Sequence, residues 1–195
     1  DLVRSRGLGD VYKRQEYYRK KVNPITVLIT GSSGKTTVKE MMSATTSVKF
    51  RTHKTKLNHN NEIGLCQTLL SMPEDTQVLI AEGGMRGLGE IELLSKHTQP
   101  DRAVITNVGT AHIGRLGSVE NIAKAKCEIV KYLKKDGVLI APDSPLIKQF
   151  NTFAGKNSYV NFDDVKVLKA DVDGSEFVYK DNTYFLPQEG EHNVQ

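Results

Sequence analysis

Ile25-Thr26-Val27-Leu28-Ile29-Thr30, followed at once by Gly31-Ser32-Ser33-Gly34-Lys35-Thr36-Thr37, is the stretch on which the fold turns. The first six residues form an apolar, β-branched-rich run, the pattern of a strand buried on both faces. The glycine turn after it opens into a helical pattern over residues 36–47. Glycines let a backbone wrap a phosphate, and a helix N-terminus offers free N–H groups and a positive dipole end. Thr30, Gly31, Ser32, Ser33, Gly34, Lys35, Thr36 and Thr37 therefore read as a phosphate-binding loop. Lys35 would reach the β- and γ-phosphates, and the Thr36 hydroxyl would ligate Mg²⁺. Position 29 is Ile where the strict GxxxxGK[ST] form has Gly. A chance GKTT in a glycine turn is the bland alternative, and the strand–turn–helix setting argues against it.

Outward from this loop, strand and helix signals alternate. Residues 77–81 (QVLIA), 102–106 (RAVIT) and 137–141 (GVLIA) read as further buried strands. Helical patterns lie between them, around Ile91, Leu93 and Leu94 and over residues 118–135. In the second, Ser118 can cap the start, Glu120 sits in the first turn, and Lys131, Lys134 and Lys135 crowd the last turn before Gly137. This alternation predicts an α/β fold, a mostly parallel sheet with helices on both faces. After about Asn157 the texture becomes VKVLKADV, SEFVYK and NTYFLP, separated by Asp-Gly and Asp-Asn turn signals. These predict antiparallel hairpins at the C-terminal end, added to the sheet edge.

Charge and cysteines narrow the function classes. The net charge is +4, but residues 1–22 hold seven Lys/Arg against three Asp/Glu, leaving twenty of each in the rest of the chain. The body is neutral, so a basic footprint for nucleic acid is absent. No apolar run approaches the ~18 residues of a membrane helix, and no secretory signal pattern occurs. Cys66 and Cys127, the two cysteines, form no CxxC pair. That excludes a zinc or disulfide framework and implies a reducing, cytoplasmic setting. The chain begins at Asp1, and residues 1–15 show neither strand alternation nor a helical stripe. They read as an assembly scar or an upstream linker and are set aside from the fold, leaving residues 16–195 as the domain.

Open parallel sheets bind ligands at the carboxyl ends of their strands. Glu82 follows the second strand, and His112 lies in the loop after the third. Singly, each reads as a surface residue. Together with the Thr36 hydroxyl they suit a Mg²⁺ site beside a triphosphate. Lys126 is more informative. On the helix over 118–135, Ile122, Ile129, Val130 and Leu133 form an inward stripe, and Lys126 falls near its middle, while Lys124, Lys131 and Lys135 lie opposite. A buried, unpaired ammonium is costly, so Lys126 needs a partner, a shifted pKa or chemical modification. Snorkelling to the helix edge is the alternative.

Five segments in order, TGSSGKTT (30–37), KTKLNHNNEIGLCQTLLSMPEDT (54–76), EGGMRGLGEIELLSK (82–96), PDRAVITNVGTAHIGRLGS (100–118) and ENIAKAKCEI (120–129), resemble the Mur ligase family. The likeness covers roughly residues 22–195. Its N-x-N-N-x-I-G and G-M-x-x-x-G-E-I segments favour the branch that adds a dipeptide. The resemblance implies that ATP phosphorylates the peptide carboxylate of a UDP-muramoyl-peptide and that D-alanyl-D-alanine attacks the acyl phosphate, in peptidoglycan precursor synthesis. It further implies Lys35 and Thr36 on the phosphates and a first Mg²⁺, with Glu82 as metal ligand. His112 and Lys126 would serve a second Mg²⁺, with Lys126 carbamylated by CO₂ into an anionic oxygen ligand. Thr55, Asn58, Asn60 and Asn61 would face the nucleotide-sugar peptide, where turn-forming Asn is the bland alternative. His192 and Asn193 would start an adenine-side motif. Two departures are Leu57 where a Gly is expected and Gly83 where a larger residue is expected. By the same resemblance the chain is a central ATP-binding domain without its substrate-binding and C-terminal partner domains, inactive by itself and monomeric.

Two alternatives stay open. Another member of the superfamily would use a different acceptor, a single amino acid or a folylpolyglutamate. A P-loop switch or non-catalytic ATP-binding module would have no use for Lys126 on an inward stripe, and a GTPase would want an NKxD motif, which does not occur.

Overall fold

The computed structural model describes residues 2–56, 59–111 and 113–187. The chain divides into two compact units, residues 1–158 and 159–195.

The first unit is built on a six-stranded sheet. Its strands are β1 (Ile25–Thr30), β2 (Thr52–Lys54), β3 (Val78–Glu82), β4 (Arg102–Ile105), β5 (Val138–Pro142) and β6 (Lys156–Val160), in the spatial order β2-β3-β1-β4-β5-β6. β1 lies at the centre, parallel to β3 on one side and β4 on the other, with β2 and β5 parallel beyond them. The chain leaves β1 toward one edge, returns through β3 and crosses to β4. The carboxyl ends of β1, β3 and β4 therefore converge, which is where an open parallel sheet takes its ligand.

Burial follows the two-residue period of a strand. Val27, Ile29, Val78, Ile80 and Val104 form a core on one face, closed by Val38 and Met42 of α2 (Lys35–Ser47) and by Ile140. Leu28, Leu79, Ala81, Ala103 and Ile105 alternate with them and are equally buried. On that second face Leu28 approaches Leu94 of α4 (Glu90–Thr98) at Gly83. The Asp101 carboxylate accepts from the Thr26 N–H at 2.8 Å and from Lys134 Nζ at 2.8 Å, which fixes where β4 begins against β1.

The sequence reading of the central strands holds, and four features differ from it. Residues 2–22, partly set aside above, form helix α1 (Leu2–Val22). Its inward side is polar: Gln15 and Arg19 are buried, Arg19 Nη2 donates to Gln99 Oε1 at 2.8 Å, and the Tyr18 hydroxyl donates to the Met72 carbonyl at 2.6 Å. An amphipathic test that counts aliphatic residues cannot register such a face.

The helix expected over 118–135 is α6 (Val119–Cys127), followed by a 3₁₀ turn at Glu128–Val130. Tertiary hydrogen bonds end it. The Ser95 hydroxyl donates to the Ile129 carbonyl at 2.7 Å and accepts from the Tyr132 N–H at 3.3 Å, and Lys134 N–H donates to the Pro100 carbonyl at 3.0 Å. The inward stripe survives, because Ile122, Ile129, Val130 and Leu133 are all buried.

Third, β2, β6, α3 (Glu62–Leu70), the one-turn α5 (Ile113–Leu116) and α7 (Pro145–Phe150) were not anticipated; most are short or lack a long periodic pattern. Fourth, β7 (Val165–Asp171), β8 (Gly174–Tyr179) and β9 (Asn182–Leu186) pair as an antiparallel sheet of their own rather than extending the edge of the first. The β8–β9 turn places Lys180 and Asp181 at φ 48° and 63°, the doubly left-handed geometry of a tight hairpin.

The central strand carries the packing, so Leu28→Ala is expected to lower the unfolding free energy by about 2–5 kcal/mol. Urea denaturation should show the loss as a lower midpoint at unchanged slope.

Candidate active site

The carboxyl end of β1 turns through two glycines. Gly31 has φ 156°, and a Cβ there would lie 1.8 Å from Thr106 Oγ1; Gly34, at φ 75°, is the left-handed residue from which α2 starts. These two positions need glycine, the first for close approach and the second for backbone conformation. The loop between them is held from β4. Asn107 Oδ1 accepts from the N–H groups of Ser32 (2.9 Å) and Ser33 (3.0 Å), and Asn107 Nδ2 donates to Ser33 Oγ at 2.6 Å. Thr106 Oγ1 donates to the Ser33 carbonyl at 2.5 Å. Thr30 is fully buried, its hydroxyl donating to the Gly83 carbonyl at 2.9 Å, so it ties β1 to the end of β3.

Glu82 ends β3 directly opposite Ile29 of β1. By alternation with Val78 and Ile80 its side chain stands on the α2 face of the sheet. The Thr36 hydroxyl, in the first turn of α2, donates to Glu82 Oε2 at 3.0 Å, and Asn60 Nδ2 donates to Oε1 at 3.2 Å. Lys39, one turn further along α2, has its Nζ 3.5 Å from Glu82 Oε2. The Glu82 N–H donates to the Thr55 hydroxyl at 3.1 Å, and Thr55 is fully buried. Thr55 thus braces Glu82, while Asn61 caps α3 by accepting from the Gly64 N–H at 2.9 Å and also faces the adjoining pocket.

That pocket, about 190 Å³ in volume, lies between the phosphate loop and the loop after β3. Gly31, Lys35, Asn60, Arg86, Glu90 and Lys126 line it. Lys35 Nζ donates to the Gly31 carbonyl at 2.9 Å. Burial lowers its pKa against a smaller raising effect of Glu82. Lys126 is 1% exposed, and its pKa falls to about 8, first through burial and then through Lys35. No carboxylate among the described residues pairs with it. The pocket therefore gathers Lys35, Arg86 and Lys126 against the one carboxylate of Glu90, a positive balance that suits an anion.

Thr36 and Glu82 offer hard oxygen atoms within hydrogen-bond distance of each other beside the phosphate loop. That donor set fits Mg²⁺, which is commonly held by one or two carboxylates together with substrate phosphates. Among the described residues no group of three His, Cys, Asp or Glu side chains gathers to hold a metal alone. His112, Asn58, His192 and Asn193, all expected at the site, lie outside the described residues. Thr37 sits in the first turn of α2. Gly83 is closely packed: a Cβ there would lie 3.2 Å from Leu94 Cδ1 and 3.5 Å from Leu28 Cδ1, so a side chain at this position requires Leu94 to shift by a few tenths of an ångström.

The sequence reading missed Asn107 and Lys39. Asn107 stands two residues past a buried strand, the place where site residues gather. Lys39 falls between Val38 and Met42 on α2, so the reasoning applied to Lys126 would have found it.

Residues 29–195 match the model of the Mur ligase middle domain. The chain belongs to the Mur ligase family. It is 44% identical over 186 residues to UDP-N-acetylmuramoyl-tripeptide–D-alanyl-D-alanine ligase of Bacillus subtilis (strain 168), a match covering 91% of this chain and 40% of that protein. This Mur ligase chain thus spans about two-fifths of the length of that curated relative. Among solved structures, MurF from Acinetobacter baumannii superposes with TM-score 0.81 at 31% identity, over 94% of this chain and 43% of that one. MurF from Thermotoga maritima, solved in complex with ADP, gives 0.83 at 26% identity, over 95% and 46%. Folylpolyglutamate synthase from Mycobacterium tuberculosis, at 18% identity and TM-score 0.70, shares the fold.

Two outcomes test this geometry. Gly31→Ala should weaken Mg-ADP binding by roughly tenfold or more, as titration calorimetry would record, and Thr106→Ala in the same chain should restore part of it. The second concerns pH. Folded Lys126 releases its proton near 8, whereas the unfolded chain keeps it up to the ordinary 10.5, so the unfolded state binds more protons in that window. Stability should therefore gain on the order of 3 kcal/mol between those limits from this group, and Lys126→Met should remove that part of the pH dependence in urea titrations.

Proposed function

We propose that this chain is the ATP-handling part of an ATP-dependent amide-bond ligase that adds D-alanyl-D-alanine to UDP-N-acetylmuramoyl-tripeptide. The observation that carries the reading is Lys126, buried without a counter-charge and facing the same pocket as Lys35. A phosphate loop alone would serve any nucleotide-binding module. A second cation at this depth suits a reaction that gathers negative charge, and the activity for which the Bacillus subtilis relative is named supplies the substrates.

In this reading the backbone N–H groups of Gly31 and of residues 34–36, together with the Lys35 ammonium, hold the ATP phosphates. The γ-phosphoryl group passes to a carboxylate oxygen of the tripeptide, ADP leaves, and an acyl phosphate results. The dipeptide amine attacks the acyl carbon and gives up a proton, the carbon–oxygen bond to phosphate breaks, and the amide forms. The work is positioning and charge neutralisation. Magnesium, when bound, would supply charge neutralisation at the phosphates. Thr36 and Glu82 would hold one ion, and His112 and Lys126 a second. For Lys126 that role requires carbamylation: the neutral amine adds to CO₂, loses a proton and becomes a carbamate, whose oxygens can ligate a cation. Asn60 and Asn61, with Asn58, would meet the tripeptide across the pocket from the phosphate loop, and His192 with Asn193 would lie toward the adenine. UDP-linked and ATP substrates place such a reaction in the cytoplasm.

The test uses the full-length protein and phosphate release from Mg-ATP with UDP-muramoyl-tripeptide. D-alanyl-D-alanine is compared with single amino acids and glutamate as acceptors. Release should depend on the dipeptide and fall roughly a hundredfold or more in Lys126→Ala. Isotope-labelled bicarbonate should give a carbamate signal that the variant lacks. Dependence on another acceptor would move the protein to a sibling activity, and absence of any acceptor dependence in a folded, ATP-binding protein would overturn the ligase reading.

A further inference from the structure

Lys39 is the largest fully buried polar side chain that the mechanism leaves unused. It is 1% exposed and stands on α2 one turn beyond Lys35. Its ammonium lies 3.5 Å from Glu82 Oε2 and 3.4 Å from Glu40 Oε1. Glu40 in turn pairs with Lys54 of β2. The result is a row of alternating charge, Lys54–Glu40–Lys39–Glu82, running from the sheet edge to the carboxylate beside the phosphate loop.

The position of Lys39 on that carboxylate matters. Glu82 Oε1 accepts from Asn60, and Oε2 accepts from Thr36 while facing Lys39. The oxygen that the ammonium approaches is thus the one shared with the metal-side hydroxyl. A lysine placed only to satisfy a buried glutamate could lie against either oxygen. Here it opposes any dication arriving at the Thr36–Glu82 pair. A free divalent cation would meet that repulsion with only one carboxylate to offset it. A cation carried by a nucleotide arrives with phosphate oxygens already neutralising it.

We propose that Lys39 is a positioning residue with an electrostatic gating effect: it holds Glu82 aimed at the metal position and keeps free divalent cations out, so that the ion enters as the metal–nucleotide complex. The inference rests on the reading of Glu82 as a metal ligand. Glu40, half-exposed, moderates the gate by sharing the Lys39 charge.

Titration calorimetry of the full-length protein with Mn²⁺ tests it, without nucleotide and with ADP. In Lys39→Met, free Mn²⁺ should bind about tenfold more tightly than in the parent, while Mn-ADP affinity changes less than about threefold. Lys39→Arg, which keeps the charge, should behave as the parent. Glu40→Gln, a change at a half-exposed site that leaves the core untouched, should weaken free Mn²⁺ binding by about threefold and leave Mn-ADP nearly unchanged, because Lys39 then bears on Glu82 alone. A Lys39→Met protein that binds free Mn²⁺ no more tightly, or loses both affinities equally, would reduce Lys39 to a packing role and overturn the proposal. Should Lys39→Met not fold, an unchanged free Mn²⁺ affinity in Glu40→Gln would overturn it instead. Glu82→Gln separates the two readings: if it leaves Mn-ADP binding intact, Glu82 is not the ligand and both readings fall. If Glu82→Gln weakens binding while Lys39→Met has no effect, the gate alone fails.

Discussion

The pairing of Ile29 with Glu82, where parallel β1 and β3 end side by side, is the constraint on which the rest of the site depends. Register in a sheet decides face as well as neighbour, and a one-residue slip would turn every side chain of β3 over. With Ile29 opposite Glu82, the apolar residues Val78 and Ile80 meet α2 and Glu82 is carried to the same face. There it finds Thr36 and Lys39, three residues apart and on one side of the helix. The Gly83 N–H donates to the Ile29 carbonyl at 2.7 Å, so the ladder holds through the last residue of the strand. Hydrophobic burial thereby positions a carboxylate to within hydrogen-bond distance of its partners.

Charge at the sheet ends follows from this placement. Lys35, Lys39 and Lys126 are partly or wholly withdrawn from water, with Glu82 beside the first two and no carboxylate paired with the third. Burial of unneutralised cations opposes folding, and the lowered pKa values of Lys35 and Lys126 express that cost. The sheet core offsets it: Leu28, Ile29, Leu79 and Ile80 are all wholly buried. On the proposed reading, a site that collects phosphate oxygens and a peptide carboxylate gains from cations whose own hydration has already been removed. The three lysines differ in what faces them. Lys39 has a carboxylate on either side, Lys35 has a backbone carbonyl and a nearby carboxylate, and Lys126 has another cation. A gradient from paired to unpaired charge thus runs from α2 to α6.

The legible part of the sequence was what periodicity and turn chemistry encode. Strands β1, β3 and β4 hold runs of mostly apolar residues that exclude solvent, β5 is an apolar run buried at alternate positions, and the glycine turn before α2 has a local physical cause. Lys126 was legible because it breaks a pattern that its neighbours establish. What was hidden depends on contacts distant in sequence. The end of α6 is set by Ser95 and Pro100, which lie about thirty residues before the backbone they bond. The inward face of α1 is made of amide, guanidinium and phenol, so it resembles solvent-exposed sequence until Gln99 and Met72 are opposite it. Thr55 read as a ligand-facing loop residue, yet its hydroxyl is spent on the Glu82 backbone. Composition cannot say which of several polar residues in a loop faces inward.

Asn107 shows why loop residues at strand ends matter beyond contact with ligand. One carboxamide receives the N–H groups of both Ser32 and Ser33 and returns a hydrogen bond to Ser33 Oγ. Those two N–H groups are consequently fixed by the protein and unavailable to a phosphate in this arrangement. The remaining donors of the loop and the first turn of α2, with Lys35, are left to do the holding. Removing Asn107 would free two donors and at the same time release the loop from β4, so its loss would alter both the number of contacts and their geometry. The crowding at Gly31 has the same origin. Thr106, the residue before Asn107, occupies the space where a side chain at position 31 would stand, so the loop is close-packed against β4 along its length. A phosphate cradle of this kind is rigid because two strand ends share its backbone, and the parallel register that brings Glu82 into place supplies that rigidity as well.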